Sequence, residues 1–163
     1  MARLLLRVWK ICGRWPALQR WILRLVNPAF LVGVVAVIFD DAGKVVLFHH
    51  TYRQKFNWSL PGGWLKRGED PARALVREVH EETTLTVEVL APLKVLTLEV
   101  APHFEVVYLA RLTGGEFHPS VEVDGVGRFT ADDLPPLKPY QRELVLAALA
   151  ARNAGRLPAA PVL

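Results

Sequence analysis

Cysteine is nearly absent from this sequence of 163 residues, which contains Cys12 and no other. A disulfide within the chain and a metal site built from several cysteines are therefore both excluded. The sequence also lacks any uncharged apolar run of about 18 residues, the length that a membrane-spanning helix needs. A single cysteine fits a reducing compartment, so we expect a cytoplasmic protein.

Acidic residues are missing from the first 39 positions, where six basic residues occur. This segment carries a charge of +6 and the whole chain +4, which leaves −2 for the remainder. The basic character therefore belongs to the N-terminal segment alone. Basic residues continue throughout this segment, which is not the pattern of a secretory signal peptide.

Residues 1–27 are predicted to form a basic amphipathic helical arm. Its first four basic residues recur at spacings of four, three and four, which places them on one helix face, and Pro16 ends this helix and opens a second. The apolar faces allow packing on the domain or on a second copy of the chain, which is the role we expect. Contact with an anionic membrane surface and binding of nucleic acid are the alternatives.

Residues 28–155 are predicted to form one domain, followed by a tail at 156–163. Segments rich in Val and Ile predict strands at 31–39, 44–50, 86–89, 93–100, 104–112 and 121–129. Asp70 and Pro71 predict the start of a helix, and a second helix is predicted at 140–153. The buried stripe of the helix that starts at Pro71 is predicted to contain Ala72, Leu75, Val76 and Val79. This order predicts an α/β (α+β) fold in which a mixed sheet lies between helices.

Three glutamates of the first predicted helix, Glu78, Glu81 and Glu82, are spaced so that their carboxylates share one face. Like charges at this spacing repel one another and raise at least one pKa unless a cation lies between them. Mg²⁺ prefers oxygen ligands of this kind, together with substrate phosphates. An ordinary solvated helix face has the same spacing, so the neighbouring residues decide between the two interpretations.

Those neighbours follow the pattern G-x5-E-x7-R-E-U-x-E-E-x-G-U over residues 63–85, where U is a bulky aliphatic residue. The matching positions are Gly63, Glu69, Arg77, Glu78, Val79, Glu81, Glu82 and Leu85. Thr84 stands where the pattern has its second glycine. The segment resembles the Nudix box, and "LPGGW" before it and "DLPPL" near the end extend the resemblance to residues 28–153.

The Nudix resemblance implies an enzyme that hydrolyses a diphosphate linkage in a nucleoside diphosphate joined to a group X. The products are a nucleoside monophosphate and phospho-X. The ligands that it implies for Mg²⁺ or Mn²⁺ are Glu78, Glu81, Glu82 and the carbonyl of Gly63. It also implies that Glu69 and Arg77 pair and brace the loop against the helix.

The general base is left open by the resemblance, because it varies within the family. It is either a box glutamate or a carboxylate from a later loop, for which Glu122 is the best candidate. Glu105 is a weaker candidate, because the alternating pattern of its strand directs the carboxylate outward. A β-branched residue at position 84 predicts a strain of about 1 kcal/mol in a left-handed helix cap.

Tyr52, Arg53 and Trp58 precede the box and are predicted to contact the non-reacting part of the substrate. Packing of Trp58 in the core is an equally open interpretation. The "LPGG" entry differs from that of ADP-ribose enzymes in the family, and nucleoside triphosphates and nucleotide sugars remain open as substrates. The alternative functions are an RNA-end pyrophosphohydrolase and a binding module without turnover. No metal-ligand role is expected for His49, His50, His80, His103 or His118.

Overall fold

The computed structural model describes residues 15–26, 30–98 and 103–155. These ranges contain three helices and seven strands, and the predicted first helix and the tail lie outside them. The elements follow in the order α1 (Pro16–Val26), β1 (Leu31–Phe39), β2 (Val45–His50), β3 (Trp58–Ser59), β4 (Gly62–Trp64), α2 (Pro71–Thr83), β5 (Thr86–Leu98), β6 (His103–Gly114), β7 (Val123–Phe129) and α3 (Pro139–Asn153).

All seven strands belong to one mixed sheet with the order β3-β2-β1-β6-β5, in which β4 also pairs with β1 and β7 with β2. β1 runs parallel to β6 and antiparallel to β2 and β4. Valine and isoleucine are frequent in β1, and β-branched side chains pack well on a pleated, buried surface. This central strand is buried from Gly33 through Phe39.

Alternate residues of β1 face opposite sides of the sheet, as the pleat of a strand requires. Val35 and Val37 pack in a cluster with Val145 and Leu149 of α3. The intervening residues of β1 pack in a second cluster with Ala74, Leu75 and Val79 of α2. The two helices therefore cover opposite faces of the sheet, which confirms the predicted α/β (α+β) arrangement of a mixed sheet between helices.

Some predicted bounds and burial patterns were wrong. Val76 is 38% exposed, and Ala74 is fully buried in its place, so the apolar stripe of α2 is rotated from the predicted one. Residues 86–98 form one strand, because shifts of register at Ala91 and Lys94 keep it paired with β6. The "PGG" turn enters the short strand β4, whose pairing partner lies far away in the sequence. Within the described ranges, the helices are too short or too polar to cross a membrane.

Candidate active site

The start of α2 is fixed by a helix cap. The side chain of Asp70 accepts hydrogen bonds from the backbone nitrogens of Ala72 and Arg73, at 3.0 and 3.1 Å, and Pro71 begins the helix. Glu78, Glu81 and Glu82 lie in the last two turns of this helix. The negative end of a helix dipole disfavours acidic residues there. Their position therefore costs stability, which is typical of residues kept for function.

Arg77 joins the loop before α2 to the glutamates on the helix. Its Nε and Nη2 atoms donate to the two oxygens of Glu69 at 2.7 and 2.9 Å, so the predicted pair is present in the structure. Its Nη1 atom donates to Glu78 at 2.8 Å and to Glu81 at 3.0 Å. Hydrogen bonds from Arg77 are the main cause that lowers the pKa of Glu69 to about 2.

Gly63 leaves room for the carboxyl group of Glu78. A Cβ atom built at Gly63 would lie 2.3 Å from Cδ and 2.6 Å from Oε2 of Glu78. A side chain at this position would displace that carboxyl group, so the glycine allows Glu78 to lie against the backbone of β4. The backbone of Gly63 is held in register opposite Val34 of β1.

Glu82 has the most perturbed carboxyl group of the cluster. Burial raises its pKa to about 8, and the nearby charges of Glu78 and Glu122 act in the same direction. Its Oε2 atom is buried and has no hydrogen-bond partner among the described residues. A bound cation compensates both burial and like charge, so this environment fits a group that ionises when a divalent metal binds.

The three glutamates share a face but do not converge. Within the ranges that the structure describes, no three acidic or histidine side chains form a ready metal cluster. Glu78 and Glu81 turn to Arg77, and Glu81 also contacts Lys66 at 3.5 Å between exposed side chains. Arg77 thus holds two of the predicted ligands in place and partly offsets their repulsion.

Glu122, the predicted outside candidate for the base, lies close enough to Glu82 for its charge to raise that group's pKa. Hydrogen bonds from Thr51 join its loop to the end of β2. The backbone nitrogen of Thr51 donates to the carbonyl of Glu122 at 3.0 Å, and the Thr51 hydroxyl donates to the carbonyl of Val121 at 2.7 Å. The sequence alone does not show this proximity, because 40 positions separate the two glutamates.

Thr84 adopts the left-handed conformation at the end of α2, with φ 61° and ψ 5°. Its backbone nitrogen donates to the carbonyl of His80 at 2.8 Å, which is the helix-capping role of the glycine that it replaces. Its hydroxyl donates to the carbonyl of Glu116 and lies 3.0 Å from Nδ1 of His118. The side chain thus forms contacts that glycine lacks.

The three predicted substrate contacts have different surroundings. Tyr52 is exposed, and the guanidinium of Arg53 lies 5.6 Å from the centre of its ring. Arg53 also lies near Glu82, because its charge lowers that group's pKa. The ring of Trp58 packs edge to face against His49 and Phe129, each at 5.1 Å. These contacts favour the packing role of Trp58 over the substrate role.

Glu105 corrects a prediction, because its side chain is not directed outward into solvent. It is 6% exposed in β6, on the face of the sheet that α3 covers. Burial raises its pKa, and a hydrogen bond with Tyr140 opposes that shift. Strand alternation separates inside from outside only when one face of a sheet is open, and here helices cover both faces.

The histidines have local partners. His50 is buried, and its Nε2 lies 2.7 Å from Oγ of Ser59, while Nδ1 of His49 lies 2.5 Å from Asp124. Burial is the main cause that lowers the pKa of His50 to about 4. The ring of His103 lies tilted against that of Trp64, with 4.8 Å between their centres. Their partners give these residues structural contacts.

A mixed sheet between two helices, with four glutamates and an arginine on a loop and helix, defines an oxygen-rich site of the kind that binds divalent cations and phosphates. The family model of the NUDIX domain matches residues 29–148. The chain belongs to this family.

The proteins that this chain is similar to are named for several different substrates. An ADP-ribose pyrophosphatase structure from Streptococcus suis 89-1591 is 33% identical, with a TM-score of 0.64, and the match covers 75% of this chain and 91% of that one. The 8-oxo-dGDP phosphatase NUDT18 of Homo sapiens is 37% identical over 56% of this chain and 28% of its own length. A MutT-like protein of Streptomyces ambofaciens is 29% identical over 66% and 68%. The match spans less than half the length of the first curated relatives.

Proposed function

We propose that the protein is a metal-dependent hydrolase that cleaves a diphosphate linkage in a nucleoside diphosphate joined to a group X, with a nucleoside monophosphate and phospho-X as products. The observation that carries this proposal is the carboxyl group of Glu82. It is buried beside Glu78 and Glu122, and its Oε2 lacks a partner among the described residues. Such a group is costly to the fold unless a cation completes it.

The residues present fit Mg²⁺ or Mn²⁺, which take carboxylate and carbonyl oxygens together with substrate phosphates. The residues that would hold the ion are Glu78, Glu81, Glu82 and the carbonyl of Gly63. Bound there, the ion would neutralise diphosphate charge, polarise a P–O bond and lower the pKa of a water molecule.

Other residues of the chain position the metal ligands, contact the phosphate and accept a proton. Arg77 fixes Glu78 and Glu81 and, through Glu69, the loop between β4 and α2. Arg53 places a positive charge near Glu82, where a phosphate would lie. Glu82 and Glu122 are the candidates for accepting the proton of the attacking water.

The substrate class is narrowed by the names of the relatives. One relative is named for ADP-ribose and another for 8-oxo-dGDP, both of which contain a nucleoside diphosphate. The "LPGG" entry argued against ADP-ribose, whereas the 33% identity to the Streptococcus suis structure keeps ADP-ribose among the candidates. We therefore propose a nucleoside diphosphate derivative as substrate.

The test is a screen of the purified chain against nucleoside triphosphates, 8-oxo-dGDP, ADP-ribose, other nucleotide sugars and RNA with a 5′-triphosphate. Each is assayed with Mg²⁺ and then Mn²⁺, and the products quantified are the nucleoside monophosphate for the small substrates and the released pyrophosphate for the RNA. Glu82→Gln is expected to reduce turnover by orders of magnitude, while Glu116→Gln, a matched change at an exposed position, leaves it unchanged. Preference for RNA would replace the proposal with the RNA-end activity, and silence across the panel would favour a binding module.

We propose that the N-terminal arm packs on the arm of a second copy of the chain, so that the protein is a homodimer in the cytoplasm. Leu18, Trp21 and Leu25 of α1 are exposed at helical spacing, and so is Trp15 just before the helix. Light scattering of the full chain and of a Trp15→Glu, Trp21→Glu variant tests it. We expect a dimer that the double substitution dissociates, and a monomeric unsubstituted chain would overturn the proposal. Binding of that chain to anionic vesicles would favour the membrane alternative.

A further inference from the structure

An apolar groove lies between the strand β5 and the helix α3. Its volume is about 390 Å³, within the range of about 300–1,000 Å³ that is typical of pockets for organic groups. Leucine and alanine side chains form most of its lining: Leu93, Leu96, Leu144, Ala147, Ala148 and Ala151. β5 is the last strand of the described sheet, and Leu93 in it is 38% exposed. The described residues therefore leave apolar surface of β5 and α3 open to water.

The groove exists because α3 has small side chains where it passes β5. Ala147 and Ala151 are four positions apart, so they lie on the same face of the helix. The described lining has one charged residue of each sign, Lys94 and Glu143, so neither an anionic nor a cationic occupant is favoured. The groove is therefore suited to an apolar occupant.

The segment that follows α3 has the composition of such an occupant. Residues 157–163 have the sequence LPAAPVL, which contains no charged or polar side chain. Pro158 and Pro161 restrict the backbone toward the extended polyproline conformation, which lowers the entropy lost when the segment docks. Extended segments that contain proline are a common occupant of apolar grooves on proteins.

The end of α3 brings this segment to one end of the groove. Ala151 lines the groove, and the helix ends at Asn153. Gly155 has φ 64°, the left-handed conformation with which many helices end, so the chain leaves the helix axis there. From Ala151 to Tyr140 the groove follows α3 for about 16 Å, at about 1.5 Å per helical residue. Eight extended residues span about 25 Å, so residues 156–163 are long enough to turn back and line the groove.

We propose that residues 156–163 fold back along α3 and pack their apolar side chains in the groove of the same chain. The covalent link favours this occupant over a separate molecule, because a segment joined by a short linker has an effective concentration on the order of millimolar. Packed there, the segment covers the sheet at β5 and holds α3 against it. Edge strands are commonly covered in this way, which keeps them from pairing with another chain. The proposal does not depend on the proposed function.

The experiment is methyl NMR of the full chain, in which nuclear Overhauser effects (NOEs) report which methyl groups are in contact. We expect NOEs from Val162 or Leu163 to Leu93 or Leu144. Two matched variants test where the segment lies. Ala147 and Ala150 are both exposed on α3, and of the two only Ala147 lines the groove. Ala147→Glu should abolish these NOEs, because it places a charge in the apolar groove, and Ala150→Glu should keep them.

Cleavage by trypsin after Arg156 measures the same docking by a second method. The protease cleaves the undocked segment, so the rate of cleavage follows the population of that state. Ala147→Glu should increase the rate about tenfold or more, and Ala150→Glu should leave it unchanged. The double variant Val162→Ser, Leu163→Ser should also increase it. This double variant alters the segment and no residue of the described fold, so a folding defect of α3 does not explain its effect.

Absence of these NOEs in the full chain would overturn the proposal, and so would equal cleavage rates of the unsubstituted chain, Ala147→Glu and the double variant. NOEs that occur only between differently labelled copies in a mixed sample would assign the groove to the segment of a second copy. NOEs to the groove from Leu18 or Leu25 would assign it to the N-terminal arm. Either assignment would overturn docking within one chain.

Discussion

Thr84 replaces the second glycine of the Nudix box. Two opposing contributions to stability meet at this residue, the strain of its backbone and the hydrogen bond of its hydroxyl, and substitutions of Thr84 can separate them. At φ 61° a residue with a Cβ atom is strained relative to glycine by about 1 kcal/mol or more. The Thr84 hydroxyl, in turn, donates to the carbonyl of Glu116, and a hydrogen bond contributes about 1 kcal/mol net. The two contributions offset each other, which accounts for the tolerance of threonine here.

Two variants test this balance. Thr84→Gly relieves the strain and loses the hydrogen bond, so its free energy of unfolding should stay within about 1 kcal/mol of that of the unsubstituted chain. Thr84→Ala loses the hydrogen bond and keeps the Cβ atom, so it should be about 1 kcal/mol less stable. For a chain of this size that loss corresponds to a decrease in Tm of about 2–4 °C.

Urea unfolding followed by tryptophan fluorescence measures these differences. Equal stability of Thr84→Ala and the unsubstituted chain would show that the hydroxyl contributes nothing. A gain of more than about 2 kcal/mol in Thr84→Gly would show that strain dominates and would refute the offset. Neither variant changes a box glutamate, so hydrolysis serves as the control for an intact site.

Three further substitutions address the site and its support. Arg77→Lys should keep the fold and lower kcat/KM about tenfold or more, because one ammonium group cannot replace the two-pronged guanidinium, and an unchanged value in steady-state kinetics would contradict the bracing role. Gly63→Ala should displace the carboxyl group of Glu78 and weaken Mg²⁺ binding measured by calorimetry, whereas unchanged affinity would argue against Glu78 as a ligand. The pKa of His50 is about 4 in the folded protein and 6.5 as its ordinary value, so the fold favours the neutral imidazole. The resulting stabilisation is complete above pH 6.5. It decreases by up to about 3 kcal/mol as the pH decreases to 4. His50→Gln should flatten the pH dependence of urea unfolding over this range, and an unchanged slope would exclude His50 as its source.

The sequence predicted those parts of the fold that depend on local patterns. The cap at Asp70, the start at Pro71 and the strand 31–39 follow from residue types within a few positions, and the structure contains all three. The strand β4 was not predicted, because its three residues form a strand only through pairing with β1. The orientation of Val76 was also predicted incorrectly, because helical spacing does not specify how α2 turns on the sheet.

The box was predictable for a different reason, since its chemistry requires fixed residue types at fixed spacing. Glu69 and Arg77 are eight positions apart, and their contact follows from the loop and helix that the box itself encodes. The proximity of Glu122 and Arg53 to Glu82 was not predictable from spacing, because it depends on how β2 and β7 pair.

Glu105 shows which kind of buried residue sequence patterns miss. An acidic residue in an alternating strand is normally assigned to the solvent side, and that assignment assumes one open face. In β6, Glu105 has the same parity as the buried residues Val107 and Leu109, so it lies on the face of the sheet that α3 covers. Burial raises the pKa of Glu105, and its hydrogen bond with Tyr140 opposes that shift, so the carboxyl group costs more stability here than an apolar residue would.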